Sequence, residues 1–156
     1  MNGYKDALMK HGLTVDETLI VHHDLTAVNA RECARYLFNL KQRPDGLFSV
    51  NDPAAIEAML VAREKGIRIP EELAIVGFSN EPISAFIEPG LTTLAQPLEK
   101  IGREAVELLL RQIADESESI KHETKTLKTS LIVRASSVRN KPSGKTPRAK
   151  KAASAR

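Results

Sequence analysis

Cysteine is almost absent: the 156 residues hold one, Cys33. A single thiol excludes an internal disulfide framework and a cysteine-based zinc site, and it suits a reducing compartment. Aromatic residues are scarce as well, with four Phe, two Tyr and no Trp. So few rings exclude a flat platform on which nucleic-acid bases could stack. No run reaches the roughly 18 apolar residues that a membrane span needs. The opening residues 1–12 lack the continuous apolar stretch of a signal peptide, so the expectation is a cytoplasmic chain with no membrane contact. Enzyme signatures are missing too: there is no glycine-rich phosphate loop, no Gly-x-Ser-x-Gly elbow and no His-Glu-x-x-His. Catalysis is therefore not expected, and neither is a cofactor.

Charge is present but uneven. Lys and Arg number 23 against 20 Asp and Glu, a net charge of +3. Residues 139–156 carry seven of the basic residues and no acid, which leaves 16 basic against 20 acidic in the body, or about −4. The positive balance sits in the tail. A basic nucleic-acid surface on the folded part is not supported.

Hydrophobic content of 42% gives a chain of this length one good core. Tyr4, Ala7, Leu8 and His11 recur at helical spacing over residues 3–11, with Gly12 as the stop. Leu19-Ile20-Val21 reads as a short buried strand. A second helix from about 27 to 41 places Ala30, Cys33, Ala34, Leu37 and Phe38 on one face, where Cys33 is packing rather than chemistry. After the turn Pro44-Asp45-Gly46, residues 47–50 read as the next strand. A third helix comes next, with Asp52 placed to cap it, Pro53 at the first helical position and Gly66 at the exit. Residues 73–78 are a further strand. Three short apolar strands alternating with helices predict an α/β fold, a parallel sheet with helices on both faces.

The pattern then shifts. Residues 91–94 make a brief extended piece, and Pro97 opens a long helix to about Asp115. Its apolar stripe, from Leu98 through Leu108 with Val106, Leu109, Leu110 and Ile113 beside it, is wide enough to require a partner. Residues 115–125 are a polar connection, 127–135 a final strand, and the stretch beyond Asn140 has too little to bury and reads as a disordered tail.

Each parallel strand ends in polar residues: His22-His23-Asp24, Asn51-Asp52 and Ser79-Asn80. Ligands of open α/β sheets bind outside the carboxyl ends of the strands. Amides, a hydroxyl and carboxylates suit a hydroxyl-rich small molecule. The plainer alternatives stand beside this reading, since Asp52 fits a helix cap and Ser79-Asn80 could cap the next segment. His22 and His23 point to opposite faces of a continuing strand and have no third ligand at useful spacing, so no metal is expected.

In order and spacing, these residues resemble the LacI/GalR transcription regulators. The resemblance rests on Asn51-Asp52, Ala58, Gly66-Ile67, Pro70-Glu71-Glu72 and Ile75-Val76-Gly77-Phe78. It continues through Pro89, Leu91-Thr92-Thr93-Leu94, Gln96-Pro97, Gly102 and the closing Leu131-Ile132-Val133-Arg134-Ala135-Ser136-Ser137, and covers about residues 3–137. That family implies an N-terminal helix-turn-helix that reads operator DNA, a hinge, and a two-lobed domain of the periplasmic-binding-protein kind. An effector, usually a sugar or a nucleobase, lies between the lobes. By position, Leu25 stands where an aromatic commonly stacks on the ligand, and Asn51 matches a hydrogen-bonding residue. Ser79 replaces an aspartate that commonly holds sugar hydroxyls, and Gln96 falls near the cleft. The resemblance places homodimer contacts at Ile56, Ile83, Phe86 and Ile87.

The same resemblance implies a division of the chain. Residues 1–90 would be the C-terminal lobe, and 91–118 a segment returning to the other lobe. Residues 119–138 would be a strand crossing back, and 139–156 a disordered basic tail. The family's Arg-x-x-Gly-Tyr opening is met by Gly3-Tyr4, with the arginine expected one place before Met1. The DNA-binding head and first lobe would then lie outside the chain, which is expected to be a fragment. Two other readings stay open. A periplasmic sugar-binding protein shares the fold but requires an exported N-terminus, and a small α/β enzyme could use Asp24 and Asp52 as acid and base.

Overall fold

Short apolar runs flanked by turn residues build a mixed sheet, and helices cover the face that buries the most. The computed structural model describes residues 2–22, 24–114 and 123–139. Its regular elements are α1 (Asn2–Lys10), α2 (Ala27–Asn39), β1 (Gly46–Phe48), α3 (Asp52–Glu64), β2 (Ala74–Phe78), β3 (Thr92–Ala95), α4 (Leu98–Ala114) and β4 (Ser130–Ile132). The sheet order is β1-β2-β3-β4, with β1, β2 and β3 parallel and β4 antiparallel to β3. Register pairs Phe48 with Val76, Phe78 with Leu94, and Thr93 with Ile132.

The core lies between α2, α3 and β2. Leu73, Ile75 and Leu91 are wholly buried there beside Leu37, Phe38, Met59 and Val61. Burying each of the large aliphatic chains contributes roughly 1.5–3 kcal/mol. Ala55, Ala58 and Ala62 keep the inner face of α3 thin, so α2 and the sheet approach closely. The ion pair Arg31–Glu57 at 2.5 Å near the start of α2, with Lys65 Nζ at the end of α3 donating to Asn39 at the end of α2 at 2.6 Å, shows that α2 and α3 run in the same direction. Gly66 leaves α3 with φ +69°, a conformation that glycine adopts without steric cost.

The segment after β4 is fastened by side chains. Ser136 Oγ donates to the Ile75 carbonyl at 2.6 Å and accepts the Thr92 N–H at 2.8 Å. Arg139 donates to the carbonyls of Pro70 at 3.0 Å and Asp45 at 2.6 Å. The tail expected from residue 139 thus begins with an anchored residue. The remainder of that tail, 140–156, lies outside the described residues, as do His23 and most of the polar connection, 115–122.

Three expectations need correction. Residues 19–21 form no strand. Glu17–Leu19 is a 3-10 turn, capped by Asp16 accepting the Thr18 N–H at 2.9 Å. Ile20 beyond it is extended, but the segment pairs with no strand among the described residues. A strand needs a neighbour to satisfy its backbone, and none stands beside this one. The third parallel strand is instead β3, the piece that read as merely brief. Finally, the helix cap is Asn51, not Asp52. The Asn51 side chain accepts the Ala54 N–H at 2.9 Å, while Asp52 is the first helical residue and fully buried.

Candidate functional site

The parallel register brings the carboxyl ends of β1, β2 and β3 to one edge of the sheet, in that order. Asn51 follows β1, Ser79 follows β2 and Gln96 follows β3, so all three stand on this edge. Because α2 and α3 run in the same direction, the loop that opens α2 reaches the edge where α3 begins. Leu25 lies in that loop, with φ +66° and an exposed side chain. Asp24 shapes the turn: its Oδ1 accepts the Thr26 N–H at 2.9 Å and the Thr26 hydroxyl at 2.7 Å. All four candidate ligand residues therefore share one edge.

Their roles differ locally. The Asn51 Oδ1 accepts the Ala54 N–H as the helix cap, so its side chain's remaining hydrogen-bonding groups are the amide N–H donors. Ser79 and Asn80 both have positive φ, +116° and +54°. Such backbone costs of order 1–3 kcal/mol in a non-glycine residue and persists only where surroundings impose it. Here the imposing groups are visible. The Ser79 N–H donates to the Leu94 carbonyl at 2.9 Å, and the Asn80 N–H to Thr93 Oγ1 at 3.2 Å. Arg134 donates to Asn80 Oδ1 at 2.9 Å and to the Leu91 carbonyl at 2.7 Å. Gln96 borders an open apolar cleft of about 440 Å³ with Phe78, Pro97 and Ile101.

Beneath this edge lies Asp52. Its Oδ1 accepts the Thr93 hydroxyl at 2.6 Å; its Oδ2 accepts the Ser84 hydroxyl at 2.7 Å and the Glu81 N–H at 2.8 Å. A buried carboxylate with three donors at the N-terminus of α3 is stabilised by those bonds and by the helix dipole. With its oxygens engaged and no exposed surface, Asp52 is placed to hold structure rather than to contact a ligand. The acid–base pairing of Asp24 and Asp52 has no geometric support. Gly77 explains how the carboxylate fits, because a Cβ there would stand 2.2 Å from Asp52 Oδ1.

Sequence reasoning missed this network. Thr92, Thr93, Ser84 and Ser136 are all buried polar residues, and among the described residues no buried side-chain oxygen or nitrogen lacks a hydrogen-bond partner. The one available signal was Gly77 inside a strand, which marks a close approach of some other group. Cys33 is partly buried, and burial, together with Glu32 and Asp24, pushes its thiol pKa up. That makes it a poor nucleophile. Among the described residues no group of three His, Cys, Asp or Glu side chains is arranged to hold a metal. No helix among them is long and apolar enough to cross a membrane.

Of the expected dimer residues, Ile83 and Phe86 are exposed on the turn after β2, whereas Ile56 and Ile87 pack partly against the core.

A mostly parallel α/β sheet with a polar carboxyl edge is the architecture of a periplasmic binding protein-like domain. Residues 1–137 match the periplasmic binding protein-like domain, and the chain belongs to that family. Among its curated relatives, the HTH-type transcriptional repressor CytR of Escherichia coli (strain K12) is 35% identical over 136 residues, which are 87% of this chain and 39% of the relative. Among solved structures, the complex of the transcriptional regulator CelR with cellobiose superposes with a TM-score of 0.79 at 34% identity, covering 86% of this chain and 40% of that one. A LacI-family regulatory protein from Chloroflexus aggregans gives a TM-score of 0.76 at 33% identity, covering 87% and 48%. The chain thus spans about two fifths of the length of the curated relatives it matches.

Proposed function

We propose that the chain is the effector-sensing part of a LacI-type transcription regulator and supplies one wall of the ligand cleft. The observation that carries this reading is the shared edge of Leu25, Asn51, Ser79 and Gln96 in a chain whose relatives are transcriptional repressors. The effector is a hydroxyl-rich small molecule of the sugar class, as with the cellobiose bound by CelR. Residues 1–90 act as the C-terminal lobe, 91–118 belong with the opposite lobe, 119–138 cross back, and 139–156 form a basic tail. The exposed Ile83 and Phe86, with Ile56 and Ile87 beneath, pair two copies about a two-fold axis. Operator DNA is contacted through a helix-turn-helix outside these residues. The protein works in the cytoplasm and is not an enzyme. Effector binding shifts the lobe arrangement by binding one arrangement more tightly than the other.

One wall alone makes few of the contacts that a closed cleft makes, so affinity is millimolar. The test is NMR titration of the 156-residue chain with cellobiose and glucose. Weak shifts centred on Leu25, Asn51, Ser79 and Gln96 are expected. Micromolar affinity would defeat the half-cleft reading, and shifts that map elsewhere would remove these residues from the site.

A further inference from the structure

Two consecutive non-glycine residues, Ser79 and Asn80, take positive φ at the carboxyl end of β2, on the edge that carries the candidate ligand residues. Asn80, at φ +54°, lies in the left-handed region, which L side chains disfavour and which Asn tolerates better than most. It stays there only while its neighbours hold it. Its N–H donates to Thr93 Oγ1 at 3.2 Å, and the Thr93 hydroxyl proton goes to Asp52 Oδ1 at 2.6 Å, so that oxygen's lone pairs are left to accept. This bond grips the backbone alone. The Asn80 side chain is gripped by a residue 54 positions further along the chain.

That residue is Arg134, and its two terminal nitrogens act separately. Nη2 donates to Asn80 Oδ1 at 2.9 Å, and Nη1 donates to the Leu91 carbonyl at 2.7 Å. A guanidinium is planar and rigid, so fixing one arm on the backbone that enters β3 aims the other. The base of the side chain is fixed as well. The Arg134 N–H donates to Thr92 Oγ1 at 2.8 Å, and the Arg134 carbonyl accepts the Thr92 hydroxyl at 2.9 Å. Gly90 leaves room for the stem, since a Cβ there would stand 3.4 Å from Arg134 Cδ. These contacts seat Arg134 on the entry to β3, and the bond to Asn80 reaches from that seat to the ligand edge.

We propose that Arg134 is a positioning residue for the effector site. It latches the Ser79–Asn80 turn in its left-handed form, and so makes the shape of the ligand edge conditional on where the segment after β4 lies. A change of φ at Asn80 swings the peptide that joins it to Ser79, and moves Ser79 relative to Asn51 and Gln96. Residues 119–138 are the stretch proposed to cross back from the opposite lobe. A lobe movement that shifts residue 134 therefore makes or breaks the latch, and effector affinity follows the population of the latched turn. That consequence rests on the effector reading, whereas the latch itself can be judged without any ligand.

Left-handed backbone brings a residue's amide proton close to its own Hα, so the strength of that intraresidue NOE reports the turn in the folded chain. In the 156-residue chain it should be strong at Asn80. Arg134→Met keeps the apolar stem and removes both donors. It should weaken the Asn80 NOE and raise the Kd for cellobiose about threefold or more, because apparent affinity falls with the fraction of chains in the competent turn. A merely structural role would lower the melting temperature and leave NOE and Kd unchanged; that result overturns the proposal. Adding Asn80→Gly to Arg134→Met should return the Kd to within about twofold of its original value, because glycine takes positive φ without a latch. Failure of that rescue counts against the latch. Should Arg134→Met not fold, Asn80→Ala breaks the same bond from the other side and leaves the bond to Leu91 in place. NOE and affinity should then fall together, and a strong NOE at position 80 sinks the idea. A weakened NOE with an unchanged Kd puts the turn outside the effector site and removes the positioning role. If neither cellobiose nor glucose shifts any signal of the unsubstituted chain, the effector reading fails instead, and the latch stands or falls on the NOE.

Discussion

Helices α3 and α4 carry comparable apolar content and end in opposite situations. α3 has 13 residues and buries six of them, including Met59, Val61 and three alanines. α4 has 17 residues and buries none, leaving Leu98 and Ile113 at 67% and 71% exposure. The stripe on α4 is the more strongly sided of the two, yet it is α3 that has the partner. An amphipathic pattern specifies that a helix forms and which side is apolar; what covers that side is a property of distant sequence. The two helices also differ in how they are held. α3 is fixed by a cap, a buried carboxylate and close packing, whereas the ion pairs from Glu104 to Lys125 and from Arg111 to Glu123 that tie α4 down lie near the surface. Exposed pairs of that kind contribute roughly 0–1 kcal/mol each.

That contrast can be broken by substitution. The largest effect should come from Asp52→Ala, which strands the Thr93 and Ser84 hydroxyls and the Glu81 N–H; losing three bonds to a buried carboxylate costs about 4 kcal/mol or more by urea denaturation. A loss under about 1 kcal/mol would show that the network is not the clamp it resembles. Gly77→Ala comes next, at about 2–3 kcal/mol, because the new methyl meets the Asp52 carboxylate and Leu91. Ser136→Ala removes the tie between the closing segment and Ile75 and Thr92 and should cost about 1–2 kcal/mol, with faster amide exchange over 130–139 as its signature. Asn51→Ala loses the cap of α3, about 1 kcal/mol, and Asn51→Asp should retain most of it. The smallest change in stability belongs to α4. Leu109→Lys with Ile113→Lys should move the melting free energy by less than about 0.5 kcal/mol per site, as for surface positions without partners. The same pair should remove association made through the α4 face in sedimentation velocity and leave pairing through Ile83 and Phe86 in place. A large loss of stability there would mean that the face is covered after all.

The correction over residues 19–21 has the same physical origin as the difference between the helices. Leu19-Ile20-Val21 has strand composition and Ile20 adopts extended backbone, but hydrogen bonding is a relation between two segments, and no strand among the described residues pairs with it. Thr92 and Thr93 illustrate the converse. Their run is too short to be read as a central strand, yet β2 on one side and β4 on the other give its backbone partners on both edges. The Asn51–Asp52 exchange of roles was illegible for a different reason. Either side chain can cap a helix, and the choice is made by Thr93 and Ser84, which are 41 and 32 residues away from Asp52.

What the chain's order of residues determined by itself was local or periodic: the extent of α2, α3 and α4, the turn residues at their ends, the polar termini of the strands and the apolar side of each helix. These follow from backbone sterics and from hydrophobic spacing, which act over a few residues. Tertiary structure alone decided which strands are neighbours, that Asp52 is buried as a clamp while Asn51 caps, and that Arg134 holds the left-handed turn at Asn80. Those outcomes depend on burial and hydrogen bonding between segments far apart in sequence, and only the folded chain brings such segments together.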